Sequence, residues 1–354
     1  MSNTWQKQLV LFLLWSVVFI VALGAVAEWY LSKQGYTVDR GFSSKDSDMY
    51  DSYLGWRTPP GANVPRSDPA EYQVVENVWP DTARVSRPIR NKKASKHVLL
   101  VGCSHTYGLM VSDETTFAWQ LNERFPDIAF DNFGVNGYGT YNSYLREKQQ
   151  LYLHPHRYDL VLYSAFLEHL FRNVEWKAFG RISSTHSYYM GPRVDYSDRG
   201  ELLFFSGERR WPGDDLLVSL NFAKRVYYYW LIRECRTRLG EYDATQHCLF
   251  WELNRRMAEL AKSYGAKYGL VWLFDKHTWD YMLNQRSYWH ANYPWPQNPG
   301  LWGKTPEYPC LCIDISQETL QSNHLPGDLG HYNRYIHSIW AKNIGDWVEK
   351  LLNE

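Results

Sequence analysis

Short apolar runs alternate with longer amphipathic stretches from His97 to the end of the chain. The runs have the length of strands, and the stretches between them repeat apolar residues at helical spacing. This alternation is typical of a three-layer α/β domain with a mainly parallel, doubly wound sheet. The pattern predicts five strands, at 97–102, 128–133, 158–165, 267–274 and 310–315.

The segments between these strands are expected to be helical. Asp113 is placed to cap a helix through residues 113–125. Further helices are predicted at 140–151, 215–239, 249–263 and 333–351. The last helix carries Ile336, Trp340, Ile344 and Trp347 on one stripe, which indicates a face buried in the core.

The most apolar segment lies at the N-terminus. No charged residue interrupts residues 9–27, a length that crosses the hydrocarbon core of a bilayer. A retained anchor is favoured, because the stretch is long for a signal peptide and contains Trp15. The sequence Ala-Val-Ala at 25–27 resembles the end of a cleavable signal peptide, so this alternative stays open. Residues 1–31 are therefore predicted to attach the chain to a membrane, with the rest on the extracytoplasmic, periplasmic side.

The remaining chain divides into two parts. Residues 32–96 are rich in Pro, Gly, Asp and Arg with little periodicity, and we expect an irregular arm without catalytic residues that packs on a domain at 97–354. Inserts at 172–214 and 276–309 interrupt that domain. Loops of this length inside a compact domain are usually lids or binding surfaces.

Composition narrows the class of protein. Hydrophobic residues make up 45% of the chain and charged residues 21%, which is enough apolar material for a folded core. Lys plus Arg and Asp plus Glu both number 38, so no net charge attracts nucleic acid, and none is expected as a partner.

The cysteines and histidines do not indicate a metal site. The five cysteines lack zinc-ligand spacing, and the histidines lack carboxylates at ligand spacing, so neither a metal nor a cofactor is expected. In an exported domain Cys235 and Cys248 are candidates for a disulfide, and buried free thiols are the alternative.

Open α/β sheets bind ligands at the carboxyl ends of their strands. In this sequence small and polar residues follow the predicted strands at those ends. Ser104 directly follows the first strand and is a candidate nucleophile at a strand-to-helix turn, with a turn-stabilising serine as the alternative. A serine hydroxyl needs a base, and Asp328 and His331 in "GDLGH" supply a carboxylate and an imidazole. A surface pair without catalytic function is the alternative for these two residues.

Three stretches, "VGCSHTYG", "NFGVNGYG" and "DLGHYNRYIH", resemble the first, second and fifth sequence blocks of the SGNH, or GDSL-like, hydrolase superfamily over about residues 97–351. The resemblance implies a three-layer flavodoxin-like fold. It also implies Ser104 as nucleophile, His331 as base and Asp328 as the residue that orients His331. The backbone N–H groups of Ser104 and Gly134 would form the oxyanion hole.

Two blocks depart from the family. Cys103 replaces the usual aspartate before the serine, and no asparagine directly follows the third strand. His169 is the candidate substitute as oxyanion donor, Asn173 is a second candidate, and a hole made of backbone groups alone is the alternative. His105 is expected to support the turn rather than to react.

This resemblance implies an SGNH-type serine esterase that works through an acyl-serine, and the expected substrate is an O-acetyl group of a cell-envelope or secreted polysaccharide. Asn136 and three tryptophans, Trp279, Trp289 and Trp295, are candidates for contact with such a substrate. Three alternatives stay open. They are an O-acyltransferase served by an acyl-donor membrane partner, an esterase for lipids or other esters, and a glycan-binding protein without turnover.

Overall fold

The computed structural model describes residues 3–33, 50–51, 53–59, 61, 63–67, 73–91, 93–174, 189–190, 192–196, 202–205, 208–209, 249–274, 276, 279–280, 307–325 and 331–354. Some predictions fall outside these residues. They concern the helix at 215–239, the Cys235–Cys248 pair, Asp328, Trp289 and Trp295.

A five-stranded sheet forms the centre of the domain. Its strands are β1 Lys96–Gly102, β2 Ile128–Asn132, β3 Leu160–Ala165, β4 Lys267–Trp272 and β5 Cys310–Cys312. All neighbouring pairs are parallel, and the spatial order is β5-β4-β3-β1-β2. The predicted doubly wound sheet is confirmed, and this strand order is the flavodoxin-like one.

The two central strands are apolar along most of their length. Residues 98–101 of β1 and 160–163 of β3 are fully buried, as expected for parallel strands covered on both faces by helices. Strand β4 ends at Trp272, two residues earlier than predicted, and the edge strand β5 ends at Cys312, three residues earlier than predicted.

Helices cover both faces of the sheet. The N-terminal helix α1 Asn3–Lys33 is followed by α2 Ser104–Tyr107, α3 Phe117–Arg124, α4 Thr140–Leu153, α5 Glu168–Val174, α6 at 249–263, α7 Gln317–Ser322 and α8 Arg334–Asn353. One core contains residues of α6, the other residues of α3 and α8. The predicted stripe of α8 is confirmed, since Ile336, Trp340 and Ile344 are fully buried and Trp347 packs against the same core.

The start of α3 differs from the prediction. Thr116 caps the helix, with its hydroxyl accepting the Trp119 N–H at 3.2 Å. Asp113 lies in a separate 3-10 turn, Asp113–Thr115, and its buried carboxylate pairs with Arg84 at 2.8 Å instead. Arg84 is distant in sequence, so local pattern alone could not show that this carboxylate was engaged.

Residues 32–96 contain regular structure as well as irregular chain. Two antiparallel hairpins pair Tyr50–Asp51 with Gly55–Trp56 and Asn63–Ser67 with Gln73–Asn77. In the insert that follows α5, Arg193–Tyr196 pairs with Leu202–Phe205 and Tyr189–Met190 with Glu208–Arg209. Cys103 is a buried free thiol.

Helix α1 is long and apolar enough to cross a membrane. The candidate span is Trp5–Ala27, 23 residues with a mean hydropathy of 2.9. At about 1.5 Å per residue such a helix exceeds the roughly 30 Å thickness of a hydrocarbon core. Its apolar side chains are exposed, so the segment has no protein partner in the described residues that would make it a core helix.

Glu147 of α4 is fully buried, and neither carboxyl oxygen has a hydrogen-bond partner among the described residues. Burial raises its pKa well above the ordinary value, since the charged form would lose its hydration. A group with a raised pKa holds its proton in the folded state while the unfolded chain releases it, so Glu147 destabilises the fold increasingly as pH rises above about 4.3.

We therefore expect Glu147→Met to stabilise the full chain by about 1–3 kcal/mol at pH 8, because it removes a buried polar group without a partner. The gain should be smaller at pH 5, where more of the unfolded chain also holds the proton. Urea unfolding in detergent at both pH values measures the difference. A variant less stable than the wild type at pH 8 would contradict the prediction and would indicate a partner for Glu147.

Candidate active site

The ends of three adjacent strands form the candidate site. Strand β1 lies between β2 and β3, and the chain reverses its direction of winding at this point of the sheet. Open α/β sheets bind ligands at such a point. Ser104 follows β1, Gly134 follows β2 and His169 follows β3, so three of the predicted residues are placed at the same edge.

Ser104 begins the four-residue helix α2 and is buried. Cys103 before it is extended, and the left-handed Gly108 ends the turn, where its N–H donates to the Ser104 carbonyl at 2.9 Å. Gly102 permits the close approach of this turn to β3, because a Cβ there would lie 2.1 Å from Thr106 Oγ1 and 2.8 Å from the Ser164 carbonyl oxygen. The serine therefore lies on a tight strand-to-helix turn, as predicted.

Cys103 occupies the position where the family has aspartate. It is fully buried, and burial raises the pKa of its thiol. The side chain before Ser104 is therefore a neutral thiol rather than a carboxylate.

His331 lies beside the residue that follows Ser104. The ring centroids of His331 and His105 are 5.2 Å apart. Two backbone hydrogen bonds hold the segment that contains His331, from Leu325 N–H to the His331 carbonyl at 3.0 Å and from Asn333 N–H to Asn323 at 3.0 Å. The chain thus brings His331 next to His105, the residue that follows Ser104, whereas Asp328 lies outside the described residues.

His105 is enclosed by aromatic side chains and does not face solvent. Its ring contacts Phe166, Phe274, Tyr332 and Trp340. Burial first, and then the neighbouring His331, lowers its pKa well below the ordinary value, so the ring is neutral. His105 fills the space between the turn and the C-terminal segment, which agrees with a supporting role.

The loop after β2 does not offer the predicted amide. The Gly134 N–H donates to Asn132 Oδ1 at 3.0 Å, so it is already engaged. Gly134 has a packing role instead, because a Cβ there would lie 2.4 Å from the backbone nitrogen of Tyr107 in α2. The expected Gly134 donor is corrected.

Two later amides in this loop have no hydrogen-bond acceptor within the described part of the chain. They belong to Asn136 and Gly137, whereas Val135 N–H donates to Gly102 and Tyr138 N–H to Val135. Gly137 has a φ of +79°, a conformation that glycine adopts readily. The backbone at 136–137 is therefore the better candidate for an oxyanion donor in this loop.

Asn173 is not available as the predicted donor. It is fully buried, its Oδ1 accepts the Tyr141 N–H at 2.9 Å and its Nδ2 donates to Thr140 Oγ1 at 3.2 Å. Both ends of the amide hold the start of α4, which corrects its assignment to the oxyanion hole.

His169 is also fully buried, in the first turn of α5. Its Nδ1 lies 2.5 Å from Tyr163 Oη, and Nε2 has no hydrogen-bond partner in the described residues. Burial, with a smaller effect of Arg172, lowers the pKa of His169 well below the ordinary value, so its ring is neutral.

Two of the candidate substrate residues, Asn136 and Trp279, lie within the described part of the chain. Asn136 is exposed beside the site. Trp279 is buried in the core and contacts Trp251 and Trp272, at ring-centroid distances of 6.0 and 5.7 Å. This packing covers the ring of Trp279 and does not suit stacking on a sugar.

The sequence pattern did not indicate that the segment before β1 contacts the site. Trp56 Nε1 donates to the Asn136 carbonyl at 2.8 Å, and Tyr138 Oη donates to the Trp56 carbonyl at 2.6 Å. Trp56 thereby fixes the loop after β2. It lies in a segment without periodicity, so no sequence signal indicated this contact.

No family model and no curated protein sequence matches the chain. Solved structures do show similarity. A member of the lipolytic protein G-D-S-L family from Veillonella parvula is 9% identical, with 71% of this chain and 97% of that chain covered and a TM-score of 0.37. The psychrotrophic esterase EstA from a Pseudoalteromonas species is 10% identical, with 73% and 100% covered and a TM-score of 0.38.

A GDSL-like lipase from Bacteroides thetaiotaomicron is 13% identical, with 72% of this chain and 89% of that chain covered and a TM-score of 0.35. At these identities and TM-scores the similarity identifies neither a family nor a substrate.

Proposed function

We propose that the protein is a serine ester hydrolase with Ser104 as its nucleophile. One observation supports this function most directly, the placement of His331 beside the tight turn that begins with Ser104, at the ligand-binding edge of a doubly wound sheet. A histidine in that place can take the serine proton.

The reaction would proceed in two steps. Ser104 Oγ attacks the ester carbonyl while His331 accepts its proton, and the alcohol leaves with that proton as the acyl-serine forms. Water then attacks the acyl-serine while His331 accepts its proton, and the bond from Ser104 Oγ to the acyl group breaks as His331 returns the proton to Ser104 and the acid leaves. Asp328 would orient the imidazole, and the amides at 136–137 with the Ser104 N–H would stabilise the oxyanion.

The proposed substrate is an O-acetyl group on a cell-envelope or secreted polysaccharide, processed on the extracytoplasmic side of a membrane. The burial of Ser104 and the aromatic rings around His105 favour a short acyl group. The apolar helix α1 supports placement at a membrane. Transfer of the acyl group to a sugar hydroxyl would require only that the acceptor replace water in the second step.

The decisive test is intact mass of the full chain in detergent after exposure to a fluorophosphonate. We expect one adduct at Ser104, none in Ser104→Ala, and very slow labelling in His331→Asn. Hydrolysis of p-nitrophenyl acetate should fall by roughly 10⁴-fold or more in either variant.

His324→Asn is the matched control, because His324 stacks on Tyr332 in the same C-terminal segment but is not assigned a catalytic role. It should be labelled at the wild-type rate. A folded wild-type chain that takes no probe would overturn the proposal and favour a binding protein on the same fold. Competition between water and an acceptor sugar for the acetyl group would separate hydrolase from transferase.

A further inference from the structure

A hairpin of the segment before β1 contacts the loop that follows β2. Trp56 in this hairpin is buried, and its indole Nε1–H donates a hydrogen bond to the Asn136 carbonyl at 2.8 Å. Tyr138 Oη donates in turn to the Trp56 carbonyl at 2.6 Å, and the two rings meet edge to face with centroids 5.2 Å apart. Asn142 in α4 also holds the hairpin, because its Nδ2 donates to the Leu54 carbonyl at 3.2 Å. These contacts together fix the position of the indole.

The carbonyl that accepts the indole N–H belongs to the central peptide of a β-turn. The Tyr138 N–H donates to the Val135 carbonyl at 3.2 Å, so residues 135–138 form the turn and its central peptide joins Asn136 to Gly137. Asn136 has a negative φ, whereas Gly137 has a φ of +79°. A negative φ followed by a positive one is the conformation of a type II turn, in which glycine is favoured at the second central position.

A type II turn differs from a type I turn by a rotation of its central peptide through about 180°. Glycine adopts the φ of either type, so this turn permits both orientations of the peptide. The hydrogen bond from Trp56 selects one of them, because the rotation moves the Asn136 carbonyl oxygen to the opposite side of the peptide. Since the indole is buried, losing this acceptor in the rotated orientation is unfavourable.

The same hydrogen bond sets the direction of the Gly137 amide. The peptide is trans and planar, so its N–H points away from its carbonyl and therefore away from Trp56. This N–H has no hydrogen-bond acceptor in the described part of the chain. The turn lies beside the end of β1, since the Val135 N–H donates to the carbonyl of Gly102, two residues before Ser104, at 3.1 Å. The amide and the candidate nucleophile are thus carried by adjoining turns.

We propose that Trp56 is a positioning residue of the active site, which holds the Asn136–Gly137 peptide in the orientation that directs the Gly137 N–H to the substrate oxyanion. This inference rests on the proposed ester hydrolase function, and it assigns part of the site to the segment before β1. A hydrogen bond at the carbonyl of a peptide also polarises its N–H and so strengthens the donor. An amide that is already oriented needs no rearrangement as negative charge develops.

The first test removes the indole N–H and keeps the ring, in the full chain in detergent. Replacement of Trp56 by benzothienylalanine, in which sulfur takes the place of the N–H group, should lower kcat for p-nitrophenyl acetate by about 10-fold with little change in KM. The matched control is the same replacement at Trp119, whose Nε1 donates to Glu123 at 2.9 Å within α3. This control should keep the wild-type kcat.

A second variant tests whether Trp56 acts through the peptide. Gly137→Ala disfavours the positive φ of the type II turn and so favours the rotated peptide, which should lower kcat by about 10²-fold. Adding benzothienylalanine at position 56 should then cause little further loss, because a rotated peptide no longer offers its N–H to the oxyanion. A purely structural role of Trp56 predicts that the two losses multiply, and that result would overturn the inference.

The replacement at position 56 decides the inference even if Gly137→Ala does not fold. A chain with benzothienylalanine at position 56 that is labelled by the fluorophosphonate at Ser104 and hydrolyses the ester with the wild-type kcat would overturn the inference and leave the proposed function intact. An equal loss of kcat in the Trp119 control would also overturn it. Absence of the adduct on Ser104 in the wild type would overturn the proposed function and this inference together.

Discussion

Gly134→Ala is expected to destabilise the chain by about 3 kcal/mol or more, because the added methyl group has no space. An ideal Cβ would lie 2.4 Å from the backbone nitrogen of Tyr107 and 2.8 Å from the carbonyl carbon of Thr106. Both atoms belong to the turn that begins with Ser104. Backbone atoms in a fully buried turn cannot rotate away as a side chain can, so either β2 or the turn must move.

The measurement is urea unfolding of the full chain in detergent, together with the rate of fluorophosphonate labelling at Ser104. Gly345→Ala is the matched control. Its nearest contact, at 2.8 Å, is the end of the flexible Arg124 side chain, and alanine favours the helical conformation of α8. A loss of stability no larger in Gly134→Ala than in Gly345→Ala would show that the turn is not packed against Gly134 as described.

The five strands could be predicted because most of them lie in the buried centre of the sheet. A strand covered on both faces, such as β1 or β3, is a continuous apolar run between polar ends, and local sequence records this directly. In an open α/β sheet, the residue that follows such a run lies at the carboxyl edge of the sheet, where ligands bind. Ser104 could therefore be placed at the ligand-binding edge from the sequence alone.

The oxyanion donors could not be predicted in the same way. Whether the amide of Gly134 is available depends on the Asn132 side chain, which accepts its hydrogen. Whether the amide of Asn173 is available depends on the start of α4, which engages both of its ends. Hydrogen-bond partners of this kind are chosen by three-dimensional proximity, and motif spacing carries no information about them.

The contacts that residues 32–96 make with the domain could not be predicted, for a related reason. Trp56 and Arg84 contact positions that lie far along the chain, the loop after β2 in one case and the 3-10 turn before α3 in the other. Segments without periodicity give no indication of which side chain will be buried. The lack of a pattern in that region predicted an irregular chain but not its packing.

Arg84→Met is expected to lower the free energy of unfolding by about 3–5 kcal/mol at pH 7.5, the usual result of removing one partner from a buried ion pair. The Arg84 side chain is fully buried, lies 2.8 Å from the Asp113 carboxylate and 3.4 Å from that of Glu76, and donates to the Val111 carbonyl at 2.8 Å. Without the guanidinium, the buried Asp113 carboxylate would lose the counter-ion that lies 2.8 Å from it.

The loss should depend on pH in a defined direction. Burial raises the pKa of Asp113, and Arg84 opposes that rise. In Arg84→Met the opposing charge is gone, so the folded-state pKa of Asp113 rises further above its unfolded value. A group of this kind is increasingly destabilising as pH rises. The variant should therefore be closest to the wild type near pH 4.5 and furthest from it near pH 7.5.

Urea unfolding in detergent at these two pH values tests both expectations. Arg90→Met is the control, because Arg90 and its partner Asp81 are partly exposed and the buried Asp131 that Arg90 also contacts keeps Arg157 as a partner, so its loss should cost about 1 kcal/mol or less. The guanidinium of Arg84 also lies over the ring of Tyr107, 4.7 Å from its centroid, in the turn that carries Ser104. Labelling at Ser104 should therefore slow in Arg84→Met and stay normal in Arg90→Met, and equal effects of the two variants would show that Arg84 does not support this turn.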